Sequence, residues 1–219
     1  MAKFYKVLDK SQNSCFGGNH FWEVGKWYEV SGELIPCQNG FHFCQAKDLL
    51  KWIGEEIWEA QVEGEVIDFD DKLIARRARI TRRCNWDKHM ARLFAVQCAQ
   101  DVAHLIPEPK AQRCIEVAWK YVSREASYEE LVTAQKAAWE AAQEAIREAA
   151  CDDVEAAAIE VIWVIAREPA WAAAMNTAWA AAWATVCATV KAEAGTIAWA
   201  DAWAAAREKQ NKRLIDLLD

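Results

Sequence analysis

The sequence predicts an α+β protein, with a small β-rich N-terminal domain followed by an Ala/Trp-rich antiparallel helical bundle. Glycine and alanine are distributed in opposite ways: seven of eight glycines lie at or before Gly64, whereas 33 of 42 alanines follow residue 110. Near residue 85 the hydrophobic pattern changes from alternation to a helical period. We therefore predict two domains, residues 1–84 and residues 85–219, the second with about five to six helices.

Short strands and turns account for the first domain. Runs of β-branched and aromatic residues are bounded by glycine, proline and asparagine, which is typical of strands joined by turns. The predicted strands are residues 4–8, 26–30, 41–44, 57–62 and 73–80. A short helix is predicted at residues 46–53, because Gly54 follows the helical pattern directly.

Helical signals account for the second domain. Asn85 is a candidate N-cap for the first helix, and Pro107 and Pro109 interrupt the pattern after it. Ser127 and Glu130 form the S-x-x-E pattern of a capping box. The predicted helices cover about residues 86–104, 110–123, 127–150, 152–168, 169–191 and 196–218.

The tryptophans of the last helices recur at four-residue steps. Trp171, Trp179 and Trp183 follow this spacing with Met175 between them, so they share one helix face. We expect them to pack as large knobs against alanine surfaces in the bundle. The uncharged stretch 170–190 contains no leucine or isoleucine. It therefore favours a buried helix over a membrane span.

Charge and cysteine content narrow the class of protein. The net charge is −7, so the chain lacks the overall positive field that draws nucleic acid, and a nucleic-acid partner is not expected. The sequence starts without an apolar signal segment, which favours a cytoplasmic protein with eight reduced cysteines. We predict no membrane partner.

A Cys/His cluster is the first candidate for site chemistry. Cys37, His42 and Cys44 fall within eight residues, and thiolates and imidazoles are the ligands that zinc prefers. However, the spacing contains no C-x2-C pair. We therefore predict no metal and no cofactor, and keep zinc at these three residues as a minor alternative to a structural role.

Five arginines near the end of the first domain form the second candidate. They are Arg76, Arg77, Arg79, Arg82 and Arg83. Guanidinium groups in such a cluster bind phosphate or nucleic acid, but the acidic residues of segment 55–71 offer partners across strands. We favour this internal pairing, and we retain Arg76, Arg77 and Arg79, with His42 and Tyr5, as the candidate ligand-binding residues.

Two segments resemble families of uncharacterised proteins. The motifs F-Y-K-V-L-D-K, C-F-G-G-N, G-E-L-I-P-C-Q-N-G-F-H-F-C and I-W-E-A-Q-V-E-G-E resemble an N-terminal domain of phage and bacterial proteins of unknown function. The motifs W-D-K-H-M-A-R-L-F-A-V-Q-C-A-Q-D-V and I-E-V-A-W-K-Y-V-S-R-E-A-S-Y-E-E-L resemble the helical domain of immunity proteins from polymorphic toxin systems. Neither resemblance implies a catalytic residue.

A third resemblance concerns strand order alone. The segments E-V-G-K-W-Y-E-V, G-F-H-F-C and I-W-E-A-Q-V are similar in order to the strands of ADP-ribosyltransferases. Those enzymes place Arg or His on the first strand and a catalytic Glu on a late strand. Here Lys6 occupies the first position and the late strand reads A-R-R-A-R, which argues against transferase activity.

The sequence favours a non-enzymatic binding protein of a phage or mobile element. It would neutralise a host defence or toxin component, either by binding a protein or by sequestering a small anionic nucleotide signal. This expectation follows from the resemblances and from the lack of a coherent catalytic set. The alternatives are a nucleotide-binding or degenerate ADP-ribosyltransferase-like domain, and an oligomeric structural protein with a tryptophan interface.

Overall fold

The computed structural model describes residues 3–15, 19–147, 153–167, 170–193 and 198–219. The chain divides into two compact units. We call them the barrel unit, which comprises Met1–Asp87 and Asn211–Asp219, and the helical unit, Lys88–Gln210. The architecture is α+β, as the sequence predicts.

The barrel unit is built on five antiparallel strands. They are β1 (Phe4–Leu8), β2 (Tyr28–Glu29), β3 (Phe41–Gln45), β4 (Glu56–Asp68) and β5 (Leu73–Arg83). A 3-10 helix, Ala46–Lys51, lies between β3 and β4. Strand β1 pairs with β3 and β4, and β5 also pairs with both, so four strands close into a small barrel with β2 on the free side of β5.

Strands β2 and β4 differ most from their predicted lengths, whereas β3 and β5 end one and three residues later than predicted. Only two residues of the predicted strand 26–30 pair, because the chain turns just before them: Gly25 has a φ of 79° and the Lys26 N–H donates to the Glu23 carbonyl at 3.2 Å. Strand β4 continues well past residue 62. Gly64, with a φ of 76°, lies at the register shift between Glu63 and Val66 and allows pairing to resume.

Side chains from every strand fill the barrel interior. The fully or mostly buried members are Leu8, Trp22, Phe43, Trp58, Ala60, Leu73, Ala75, Ala78 and Ile80. The alternation predicted for β4 is present, since Trp58 and Ala60 join this core whereas Gln61 is exposed. Large rings suit this core because the interior of a small barrel is just wide enough for side chains or one small ligand.

The described part of the helical region contains six α-helices. They are α1 (Lys88–Val102), α2 (Pro109–Val122), α3 (Tyr128–Arg147), α4 (Asp153–Ile165), α5 (Ala170–Ala192) and α6 (Trp199–Leu218). A 3-10 turn, Ala103–Leu105, follows α1. The end of the third helix expected near residue 150 and the start of the last helix expected at residue 196 lie outside the described residues.

The helix boundaries confirm the capping box and the prolines between the first two helices, and correct one predicted N-cap. The Ser127 Oγ accepts from the Glu130 N–H at 3.1 Å and the Ser127 N–H donates to the Glu130 carboxylate at 2.6 Å, which is the predicted capping box. Helix α1 begins at Lys88, so Asn85 is not its N-cap. Helix α1 ends before Pro107, as predicted, and α2 begins at Pro109, because the first helical position needs no N–H donor.

The packing of α5 reverses the expectation for its tryptophans. Alanines form its buried face, and α5 packs mainly against α1 and α4. Trp179 and Trp183 are 48% and 38% exposed. The predicted tryptophan knobs therefore lie on the outside of the helix packing. The helices contact one another through alanines instead, because small side chains let the helix backbones approach closely. Of the described helices, none is both long enough and apolar enough to span a bilayer.

Candidate functional site

The predicted arginines lie on strand β5, beside a tryptophan of the loop that precedes β2. The guanidinium carbons of Arg77 and Arg79 lie 4.5 and 4.7 Å from the centre of the Trp27 ring. Residues 77 and 79 share a strand face, so the alternation of β5 places both cations against one ring.

Most of these arginines are neutralised by carboxylates of the barrel unit. Arg76 pairs with Glu65 and also donates to the Gly32 carbonyl at 2.7 Å. Arg77 pairs with Glu63 across β4 and β5. The remaining cross-strand pairs are Arg82 with Glu59 at 2.8 Å and Arg83 with Glu56 at 3.0 Å. The internal pairing that the acidic segment indicates is thus present.

Arg79 differs from its neighbours. Its Nε and Nη2 donate to the Gln61 side-chain oxygen at 2.8 and 2.6 Å. Gln61 is neutral, and within the described residues no carboxylate pairs with Arg79. Of the three candidate arginines, this one therefore keeps most of its charge for an external anion.

Tyr5 and His42 are not joined to the arginines. Tyr5 lies on β1 opposite Cys44 and Glu59, is 1% exposed, and has its pKa raised by burial. Between these two residues and Arg76, Arg77 or Arg79, no hydrogen bond or ion pair forms in the described part of the chain. The five candidate residues therefore do not form one site.

The Cys/His cluster is used to hold the turn before β3. His42 Nε2 accepts from the Cys37 N–H at 3.1 Å, and Cys37 has a φ of 62°. Burial lowers the pKa of His42 and raises that of Cys44 to about 12, so the ring is neutral and the thiol protonated. Across the described residues, no group of three side chains with metal-binding atoms lies together. Cys37, His42 and Cys44 are accordingly not arranged as zinc ligands.

A different cluster occupies the barrel interior, around Lys6. Lys6 is 8% exposed, and its Nζ donates to the His42 carbonyl at 2.9 Å. The same Nζ lies 5.3 Å from the centres of both the Trp22 and Phe43 rings. Burial lowers the pKa of Lys6 to about 8, because desolvation penalises the ammonium form.

Three half-buried rings continue the cluster. The His20 ring meets Tyr28 and Trp22 edge to face, with centroids 4.5 and 5.0 Å away, and lies 5.4 Å from Phe41. His20 Nε2 is buried without a hydrogen-bond partner among the described residues. We call the set Lys6, His20, Trp22, Tyr28, Phe41 and Phe43 the Lys6 box.

The sequence analysis did not select the Lys6 box, although it carries one signal. Lys6 alternates with Phe4 and Leu8, the two apolar residues that share its face of β1. A lysine at a core-facing position of a strand is unusual, because an ammonium is rarely fully buried. The other members come from the loop between β1 and β2 and from strands β2 and β3, and only folding brings them together.

Comparison with known proteins supports part of the resemblance found in the sequence. Residues 2–92 match a family described as Domain of unknown function (DUF7666). The N-terminal part of the chain is therefore an uncharacterised domain of this type. No curated protein and no solved structure matches the chain significantly.

Proposed function

We propose that this chain is a non-enzymatic binding protein of a phage or mobile element. It neutralises a host defence or toxin component by binding it as a protein. The observation that carries the proposal is an exposed group of stacked tryptophans on α5 and α6. The resemblance of the helical domain to immunity proteins supports the choice of partner.

Four residues define this group, which we call the tryptophan surface: Trp179, Trp183, Trp199 and Trp203. The rings of Trp179 and Trp183 are nearly parallel, with centroids 6.1 Å apart, and Trp183 lies 5.3 Å from Trp199. Trp203 meets Trp179 edge to face at 6.2 Å. Trp199 is 47% exposed, like its neighbours in α5.

The chemistry of this surface suits a protein partner. Exposed contiguous apolar groups mark interaction sites, and tryptophan is among the residues that contribute most to binding energy. Helix α5 carries no charged side chain from Ala170 to Val190. A partner with apolar side chains would therefore dock without having to desolvate a charge on α5.

The thiols support binding rather than nucleophilic catalysis. Burial raises the pKa of Cys44 and Cys114 to about 12 and that of Cys84 to about 11. A thiolate is the reactive form of cysteine, so these three groups remain protonated and unreactive near neutral pH.

The test is co-expression of the chain with each protein encoded by the genes that adjoin its own. Complex formation is followed by size-exclusion chromatography with light scattering. We expect one neighbour to form a complex that the double variant Trp179→Ser/Trp183→Ser loses. Trp163→Ser is the matched control, because Trp163 is 41% exposed but lies on α4. Circular dichroism confirms that each variant is folded.

Three outcomes would contradict the proposal. No neighbour forms a complex, or the double variant binds as well as the wild type. In the third, the chain alone is a dimer that the double variant converts to a monomer, which would favour the oligomeric alternative. The nucleotide alternative is tested separately with NAD, ADP-ribose and cyclic nucleotides, any of which should raise the melting temperature if bound.

A further inference from the structure

The Lys6 box contains a buried positive charge that has no counter-charge among the residues the structure describes. Within the described residues no carboxylate pairs with Lys6, whose Nζ has the His42 carbonyl as acceptor at 2.9 Å. Removing an ammonium from water costs several kcal/mol, of which one carbonyl and the faces of two rings recover only part. A negatively charged group beside Nζ would recover more.

A second polar atom of the box has no hydrogen-bond partner among the described residues. His20 Nε2 is buried and makes no hydrogen bond to the described residues. Burial and the nearby Lys6 both lower the pKa of His20, so its imidazole is neutral at pH 7. Leaving a buried polar atom unpaired is costly, and such atoms are few in native proteins. A buried ammonium with no carboxylate partner and an unpaired ring nitrogen, both within one aromatic cluster, indicate a site that is completed by a ligand.

We propose that the Lys6 box binds a small organic carboxylate with an aromatic or other apolar body. The carboxylate pairs with Lys6 Nζ and hydrogen-bonds to His20 Nε2. Its apolar body contacts the rings of Tyr28 and Phe41, which with His20 form the half-buried rim of the box. This site lies in the barrel unit and shares no residue with the tryptophan surface.

The lining of the box favours a carboxylate over inorganic phosphate. Four of its six members are Trp, Tyr or Phe rings, which cannot replace the hydration shell of a dianion. A monoanion with an apolar body loses less hydration and gains edge contacts with the rings. One ammonium also balances one carboxylate charge.

The test is isothermal titration of the full-length chain at pH 7 with benzoate as the probe. Benzamide has the same shape without the charge, and inorganic phosphate has the charge without the ring. We expect measurable binding of benzoate and at least tenfold weaker binding of benzamide and phosphate. If benzamide binds as tightly as benzoate, or if phosphate binds and benzoate does not, the proposal is wrong.

Variants locate the site. Lys6→Met keeps the length of the side chain and removes the charge, and its folding is favoured because it relieves a buried cation. We expect it to weaken benzoate binding at least tenfold. His20→Phe should weaken it to a smaller extent. Lys72→Met is the matched control, since Lys72 also lies over a tryptophan, 5.2 Å from the centre of the Trp52 ring.

Two results would show that the Lys6 box is not a carboxylate site, regardless of whether the tryptophan surface binds a protein. In the first, wild-type protein does not bind benzoate. In the second, Lys6→Met binds it as tightly as Lys72→Met. Loss of the protein complex in the tryptophan variants, with benzoate binding intact, would show that the two sites are separate.

Discussion

Tryptophan serves opposite purposes in the two units. In the barrel unit Trp22 is fully buried and Trp58 is 6% exposed, whereas in the helical unit Trp179 and Trp199 are about half exposed. A closed sheet leaves an interior that only large rings fill. Helix α5 instead packs through alanines, whose small size brings the backbones of its neighbours close and leaves the large rings outside. The same residue type is therefore core in one unit and surface in the other.

Buried cations show a second contrast. In the helical unit Arg92 is 1% exposed and donates to the Ile165 carbonyl at 2.7 Å and the Ala166 carbonyl at 3.4 Å. These carbonyls end α4, where a positive charge is stabilised by the helix dipole. Lys6 in the barrel unit instead lies among aromatic rings and donates to the His42 carbonyl of a strand. Arg92 is therefore stabilised by the protein itself, whereas the proposed carboxylate would supply the partner of Lys6.

Truncating a tryptophan should give the largest difference between the units. Trp58→Ala removes a core ring and its hydrogen bond to Glu56, so we expect it to lower the free energy of unfolding by about 3–5 kcal/mol. Trp179→Ala removes an exposed ring and should cost less than about 1 kcal/mol. Urea denaturation followed by circular dichroism measures both. Equal losses would show that the rings of α5 are part of the core.

Replacing the buried lysine should stabilise the barrel unit. The pKa of Lys6 in the folded chain is about 8, below its ordinary value of about 10.4, and the difference corresponds to about 3 kcal/mol. The folded state bears this cost in full below pH 8. As pH rises from 8 to about 10.4, Lys6 loses its proton in the folded chain but keeps it in the unfolded chain. The cost to the free energy of unfolding therefore falls over that range.

We therefore expect Lys6→Met to raise the free energy of unfolding at pH 7 by up to about 3 kcal/mol, with the gain disappearing above pH 10.4. The groups that titrate near Lys6 are the thiols Cys15 and Cys44 and the imidazoles His20 and His42. Measuring the pair of proteins in a Cys15→Ala background removes the thiol whose titration could overlap. A gain that does not change with pH would contradict the assigned cause.

A larger side chain on the buried alanine face of α5 tests whether this helix packs closely through its alanines. Ala181 is 1% exposed, so Ala181→Leu should force the neighbouring helices apart and cost about 1–3 kcal/mol. Ala172→Leu, at a half-buried position of the same helix, is the control and should cost less. The melting temperature of each variant gives the comparison. A neutral Ala181→Leu would mean that this face is loosely packed.

The capping box should have the smallest effect. Ser127→Ala removes the oxygen that accepts from the Glu130 N–H, and loss of such a cap costs about 1 kcal/mol. Ser123→Ala, after the end of α2, is a matched control because no side-chain cap is assigned to it. Urea denaturation resolves a difference of this size.

Local signals explain how much of the fold could be predicted. Alternation in β4 and β5 identified both strands, and Ser127 with Glu130 identified the start of α3, since each signal depends on residues close in sequence. The acidic segment before the arginines indicated pairs that β4 and β5 then form. The N-cap predicted at Asn85 was wrong because a cap residue marks a helix start only where the next residues are helical, and α1 begins at Lys88.

Local sequence patterns are sufficient to predict the two kinds of architecture, the order of their elements and the ionic pairing on the barrel surface. Which apolar face of α5 is buried depends on tertiary packing, because residues 170–190 carry no charged side chain that would orient the helix. The Lys6 box could not be found from the sequence, since its six residues lie on three strands and in the loop between β1 and β2. Their neighbourhood results from long-range strand pairing, which no local pattern encodes.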